Sequence, residues 1–143
     1  MLTGAALAAP PPRPAELDAL LVRARVEGQV KAWCAGKFVS GRTGAYAVAA
    51  PSPGGGGRYL VLGVNEAPVV LAPYSGSADL ACYSAGEAKG LNRSIAGSRS
   101  IQGRISPRWN TSVVCGFVEN TNAVCWQYSP TSKAFVTVGE WVT

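Results

Sequence analysis

Apolar positions in this chain fall into short runs broken by polar or glycine-containing bends, and their spacing changes once, near the start. Between Pro14 and Glu27, Leu17, Leu20, Leu21 and Ala24 recur on one helical face, with Asp18, Arg23 and Arg25 on the others. Pro14 suits a first helical position and Gly28 a stop, so the pattern predicts an amphipathic helix of about three turns. Its leucine stripe needs a cover, from the domain's own sheet or from another chain. Beyond Gly28 the period shortens to that of strands. Gln29 to Ser40, Gly44 to Ala50, Arg58 to Val64, Val69 to Ala72, Ser100 to Ile105, Ser112 to Val118, Ala123 to Tyr128 and Ala134 to Val142 are apolar or alternating segments rich in valine and aromatics. Gly41-Arg42-Thr43, Asn65-Glu66-Ala67-Pro68 and Ser129-Pro130-Thr131-Ser132 supply turns. Ser84-Ala85-Gly86-Glu87 reads as a capping box, which places a short helix from Ala85 to about Ile95.

The hairpin near the carboxyl end is the most constrained of these elements. With its bend centred on Asn120, Cys115 stands opposite Cys125, Val113 opposite Gln127 and Val114 opposite Trp126. Opposed antiparallel residues bring their Cα atoms close enough for a disulfide. Period-2 alternation then puts Val113, Cys115, Phe117, Ala123, Cys125, Val136 and Val138 on one face of the last strands. Val114, Val124, Trp126, Tyr128, Phe135 and Trp141 fall on the other. The cysteine and valine face reads as core. The aromatic face either lies under a helix or contacts a partner.

These elements add up to a mainly β (α+β) domain. It is a compact antiparallel sandwich or barrel-like sheet of about seven or eight short strands, with the N-terminal helix and one short helix after Cys82. Residues 1–13 read as a signal remnant or Pro-rich tether, with small residues before Ala9-Pro10-Pro11, and residues 14–143 as one disulfide-braced domain. No apolar run approaches the roughly 20 residues that span a bilayer as a helix.

Composition sharpens the chemistry. The chain has four cysteines and no histidine, and no Cys-x-x-Cys pair, so zinc ligation is disfavoured. With Cys115 paired to Cys125, Cys34 and Cys82 remain for each other, and two disulfides predict an oxidising, extracytoplasmic compartment, periplasmic or secreted. Absence of histidine removes the usual general base, and no Ser-x-x-Lys motif replaces it. Carboxylates at Glu66, Asp79, Glu87 and Glu119 could in principle form a hydrolytic pair, but Glu87 and Glu119 are accounted for as cap and turn residues. The glycines after Pro53 lack a following Gly-Lys-Ser/Thr and do not read as a phosphate loop; no motif implies a cofactor. Asn92-Arg93-Ser94 and Asn110-Thr111-Ser112 fit the glycosylation sequon.

Net charge is +5, and Lys89, Arg93, Arg99, Arg104 and Arg108 fall in a stretch without acids. That stretch is a candidate anion-binding surface for an acidic protein or an anionic envelope polymer. No nucleic-acid motif accompanies it, which argues against DNA or RNA.

The sequence therefore predicts a non-catalytic binding module, an accessory or structural subunit that assembles with another envelope or surface macromolecule or with further copies of itself. Trp126, Tyr128, Phe135, Trp141, Leu17, Leu20 and Leu21 are its candidate contact residues. A first alternative is an inhibitor of a secreted hydrolase. Tyr74-Ser75-Gly76-Ser77 resembles the Ser-Gly loop of membrane-bound lysozyme inhibitors over those residues alone, departs from it at Ala78-Asp79, and sits on a chain whose positive charge suits a cationic lysozyme badly. A second alternative is a small carboxylate-dependent hydrolase.

Overall fold

The computed structural model describes residues 13–40, 44–75, 78–87, 109–119 and 122–142. Among these residues eight strands form two antiparallel sheets of four. The first sheet runs β1 (Ala32–Gly36), β2 (Ala45–Pro51), β3 (Gly57–Leu62) and β4 (Val69–Tyr74), each beside the next. The second runs β5 (Leu80–Tyr83), β6 (Val113–Glu119), β7 (Asn122–Ser129) and β8 (Ala134–Val142) in the same way. Helix α1 (Ala15–Arg23) packs on the outer side of the first sheet, which makes three layers: helix, sheet, sheet. The expected sandwich is present, and it does not close into a barrel.

Burial on both faces explains why β2 and β3 read as nearly continuous apolar runs rather than alternating ones. Tyr46, Val48, Leu60 and Leu62 pack under Leu17 and Leu21 of α1. Ala47, Ala49, Tyr59 and Val61 on the opposite side pack against Val114, Val124 and Trp126 of the second sheet. Gly116 permits a close approach between the layers: a Cβ there would lie 2.9 Å from the Tyr59 ring. Tyr59 fills that space, fully buried, with its ring centroid 4.7 Å from that of Tyr74 and 6.0 Å from that of Trp126. Its hydroxyl donates to the Phe117 carbonyl at 2.6 Å.

The hairpin register is as expected: Val113 faces Gln127, Val114 faces Trp126, and Cys115 faces Cys125. Both disulfides are formed, Cys115–Cys125 with Cα atoms 4.0 Å apart and Cys34–Cys82 with 5.7 Å, and no cysteine is free. The second bond ties edge strand β1 to edge strand β5. Two sulfur bridges with every thiol consumed fit a protein that lives outside the reducing cytoplasm.

Several expectations need correction. The aromatic face of the second sheet is covered by the first sheet, not by a helix, because α1 is already occupied on the far side of that sheet. The cysteine and valine face points away from the first sheet, yet Val113, Cys125 and Val138 are buried there beside Trp109 and Val136. A bulge in the β7–β8 ladder pairs Cys125 with Gly139 but Trp126 with Thr137. That extra residue resets the alternation, so Trp141 takes the register position opposite Ala123 instead of one shared with Trp126. Pro14 is the N-cap rather than the first helical residue, and α1 stops at Arg23, not at Gly28. Cys82 lies within β5, a strand the sequence did not disclose. The capping box is made, with Glu87 accepting from the Ser84 amide at 3.0 Å and Ser84 Oγ from the Glu87 amide at 3.2 Å. Residues 85–87 form the helical turn it caps; the rest of that predicted helix and the strand from Ser100 to Ile105 lie outside the described residues. No described helix is long and apolar enough to cross a membrane.

Candidate functional site

The contact residues chosen from the sequence separate into two groups. Leu17 and Leu21 are taken up by the domain's own core, at 0% and 7% exposure, and Leu20 packs beside them. Trp126, 5% exposed, is held against Tyr59 between the sheets. Leu20 is only half-buried, and Trp126 reaches the floor of the groove described next. Tyr128 and Phe135 differ. They are half-buried, directly paired across β7 and β8, with ring centroids 5.5 Å apart in an edge-to-face contact. Phe38 meets the other side of Phe135 at 6.1 Å.

One side of Tyr128 and Phe135 opens on a groove of about 420 Å³. Val69, Val70 and Leu71 of β4 form one wall; Tyr128, Lys133, Phe135 and Thr137 form the other. Two local features shape it. Leu71 is the extra residue of a bulge in the β3–β4 ladder, since Leu60 pairs with Val70 and Tyr59 with Ala72. The β7–β8 turn closes on Ser129, whose carbonyl accepts from the Lys133 amide at 2.8 Å and whose Oγ accepts from the Ser132 amide at 3.2 Å. That turn holds Lys133 with φ 55° at the rim. Val70 is 53% exposed, an apolar side chain at the mouth of a groove that mixes apolar side chains with Asn65, Lys133 and Thr137. Among the described residues no carboxylate lines it.

A second, wider cleft of about 870 Å³ lies at the seam tied by Cys34–Cys82. It gathers Glu16 of α1, Tyr46 of β2, Lys37, Ser84, Glu87 and Ser112. The seam is closed by reciprocal bonds: the Lys37 amide donates to Ser112 Oγ at 2.9 Å, and the Ser112 amide to the Lys37 carbonyl at 2.8 Å. Tyr46 donates its hydroxyl to Glu16 Oε2 at 3.1 Å; burial and that neighbouring carboxylate both push the tyrosine's pKa up. Glu87 is held below its ordinary pKa by its two bonds to Ser84. A carboxyl group stabilised in its ionised form suits the base or nucleophile of a hydrolytic pair rather than its proton donor.

Glu66 and Asp79 are both exposed, Glu66 in the β3–β4 turn and Asp79 just before β5. Glu66 lines neither space, and neither does Asp79. The side chains of Glu119 and Trp141, and all of Lys89, Arg93, Arg99, Arg104 and Arg108, lie outside the described residues. So do Gly76 and Ser77 of the loop compared with lysozyme inhibitors, while Tyr74 at its start is stacked on Tyr59. Among the described residues no three His, Cys, Asp or Glu side chains gather as a metal site requires. Reading the sequence alone missed β4 and Lys133 as parts of a site. The signal for β4 was there, in Val69-Val70-Leu71 beside the aromatic strands, but only the sheet order places it next to Tyr128 and Phe135. Comparison of the chain with family models, with curated proteins and with solved structures finds no match.

Proposed function

We propose that this protein is a non-catalytic binding module, secreted or periplasmic, that acts as an accessory or structural subunit by docking a partner protein on the groove between β4 and the β7–β8 turn. The observation that carries the reading is Val70, 53% exposed at the mouth of a groove whose valine, leucine, tyrosine and phenylalanine are interleaved with Asn65, Lys133 and Thr137. Exposed apolar side chains gathered on a concave surface gain most by being covered. Lys133 at the rim and a net charge of +5 suit a partner whose apolar contact is bordered by acidic side chains. The absence of histidine removes the usual general base and favours contact over turnover.

A photo-crosslinking residue placed at position 70 in the natural host tests this, with Val22 on the outer side of α1, 79% exposed, as the control position. Expected is one adduct from position 70, absent from position 22, and lost on Lys133→Glu or on added salt. Adducts alike from both positions, or indifference to Lys133→Glu and salt, would refute it.

A further inference from the structure

A third space, of about 490 Å³, lies on the helix side of the first sheet, where the loop leaving α1 meets the β2–β3 hairpin. Arg25, Glu27, Gly28, Pro51, Ser52 and Arg58 are among its lining residues. Two independent features there point to an anion. The Nε–H of Arg58 is buried and has no hydrogen-bond partner among the described residues. A buried donor without an acceptor is costly, and more so when it belongs to a charged group. Among the described residues neither Arg58 nor Arg25 forms an ion pair.

The second feature is the backbone of Arg25. Helix α1 ends with the Val26 amide on the Leu21 carbonyl and the Arg25 amide on the Val22 carbonyl, both at 3.0 Å. This is the Schellman pairing, whose left-handed position is usually glycine. Here it is Arg25, with φ 55°. An arginine standing in a conformation that favours glycine suggests that its side chain is needed. Attraction to the helix's carboxyl end accounts for a positive charge at this place, but not for an uncompensated Arg58 facing the same space.

We propose that this cavity is an oxyanion site, in which the guanidinium groups of Arg25 and Arg58 bind a carboxylate, sulfate or phosphate group. Binding draws the Arg58 fork, whose Nε–H has no acceptor among the described residues, onto the anion's oxygens, and planar guanidinium forks match such oxygens in geometry and charge. Glu27 stands at the same cavity and competes with the anion. The site lies on the far side of the first sheet from the surface facing the second sheet, and it does not depend on the docking groove.

The test is a titration of the full chain with sodium sulfate, inorganic phosphate and glucuronate at constant ionic strength, read on the Nε–H resonances of the arginines. A saturable shift of the Arg58 resonance is expected with at least one of the three, and Arg58→Gln abolishes binding. Arg25→Gly weakens it about tenfold, the loss expected for one charge-assisted hydrogen bond, while Tm holds or rises because glycine relieves the left-handed position. Glu27→Gln tightens binding. An Arg58 resonance unmoved by all three anions would overturn the proposal. So would a Glu27→Gln variant that binds no tighter and melts earlier, since Glu27 would then be the partner of Arg58 in solution.

Discussion

Tyr59 carries the contact between the two sheets, and its chemistry can be tested directly. Burial pushes its hydroxyl above the ordinary 10.0, against the opposing pull of a backbone hydrogen bond at Asp79. The unfolded chain would ionise near 10 and the folded chain higher, so the neutral hydroxyl's contribution is complete below about pH 10 and is lost as pH rises through the folded value. Tyr59→Phe removes the bond to the Phe117 carbonyl and should cost about 1–2 kcal/mol at neutral pH. Denaturant melts repeated across the alkaline range should show a shallower loss for the variant than for the parent. Because Tyr46 and Tyr74 are also raised, some alkaline loss remains in the variant. Equal slopes in the two proteins would mean that Tyr59 ionises as freely folded as unfolded. Nothing in Arg58-Tyr59-Leu60 marked this residue out, since its role depends on Gly116 in a different sheet.

At the scale of elements, α1 separates a structural account from a binding one. Leu17 is fully buried against Tyr46, Val48 and Leu60, so Leu17→Ala should destabilise the isolated protein by about 2–5 kcal/mol in urea melts. A loss within about 0.5 kcal/mol would return that stripe to the surface and to a partner. Helical periodicity made the stripe legible, and the Asn120 bend with its paired cysteines made the register of β6 on β7 legible down to single residues. The β7–β8 bulge was not, because alternation counted along a strand cannot register one inserted residue, and Trp141 was misassigned for that reason. β5 was missed because Leu80-Ala81-Cys82-Tyr83 is too short for a pattern and owes its conformation to β6 and to the bond with Cys34.

For the molecule as a whole, the two disulfides do unequal work. Cys34–Cys82 closes a separation of 48 residues and joins the two sheets at their edges, whereas Cys115–Cys125 closes 10 within one hairpin. On loop-closure entropy alone, removing the first should cost about 4 kcal/mol and the second about 3 kcal/mol. Paired Cys→Ala variants compared by urea midpoint should therefore rank in that order, and the reverse order would mean that the seam between sheets is held by packing instead. The sequence-level pairing followed from elimination once the hairpin was in register; the layer order did not, because nothing local says which face of a two-sided apolar sheet meets the other. Two disulfides fix this framework and fit an oxidising compartment. Peptide mapping without reduction, on protein taken from its natural host with thiols blocked at lysis, should recover linked peptides Cys34–Cys82 and Cys115–Cys125 with no blocked thiol; recovery of all four cysteines in blocked form would show a reduced chain in a reducing compartment.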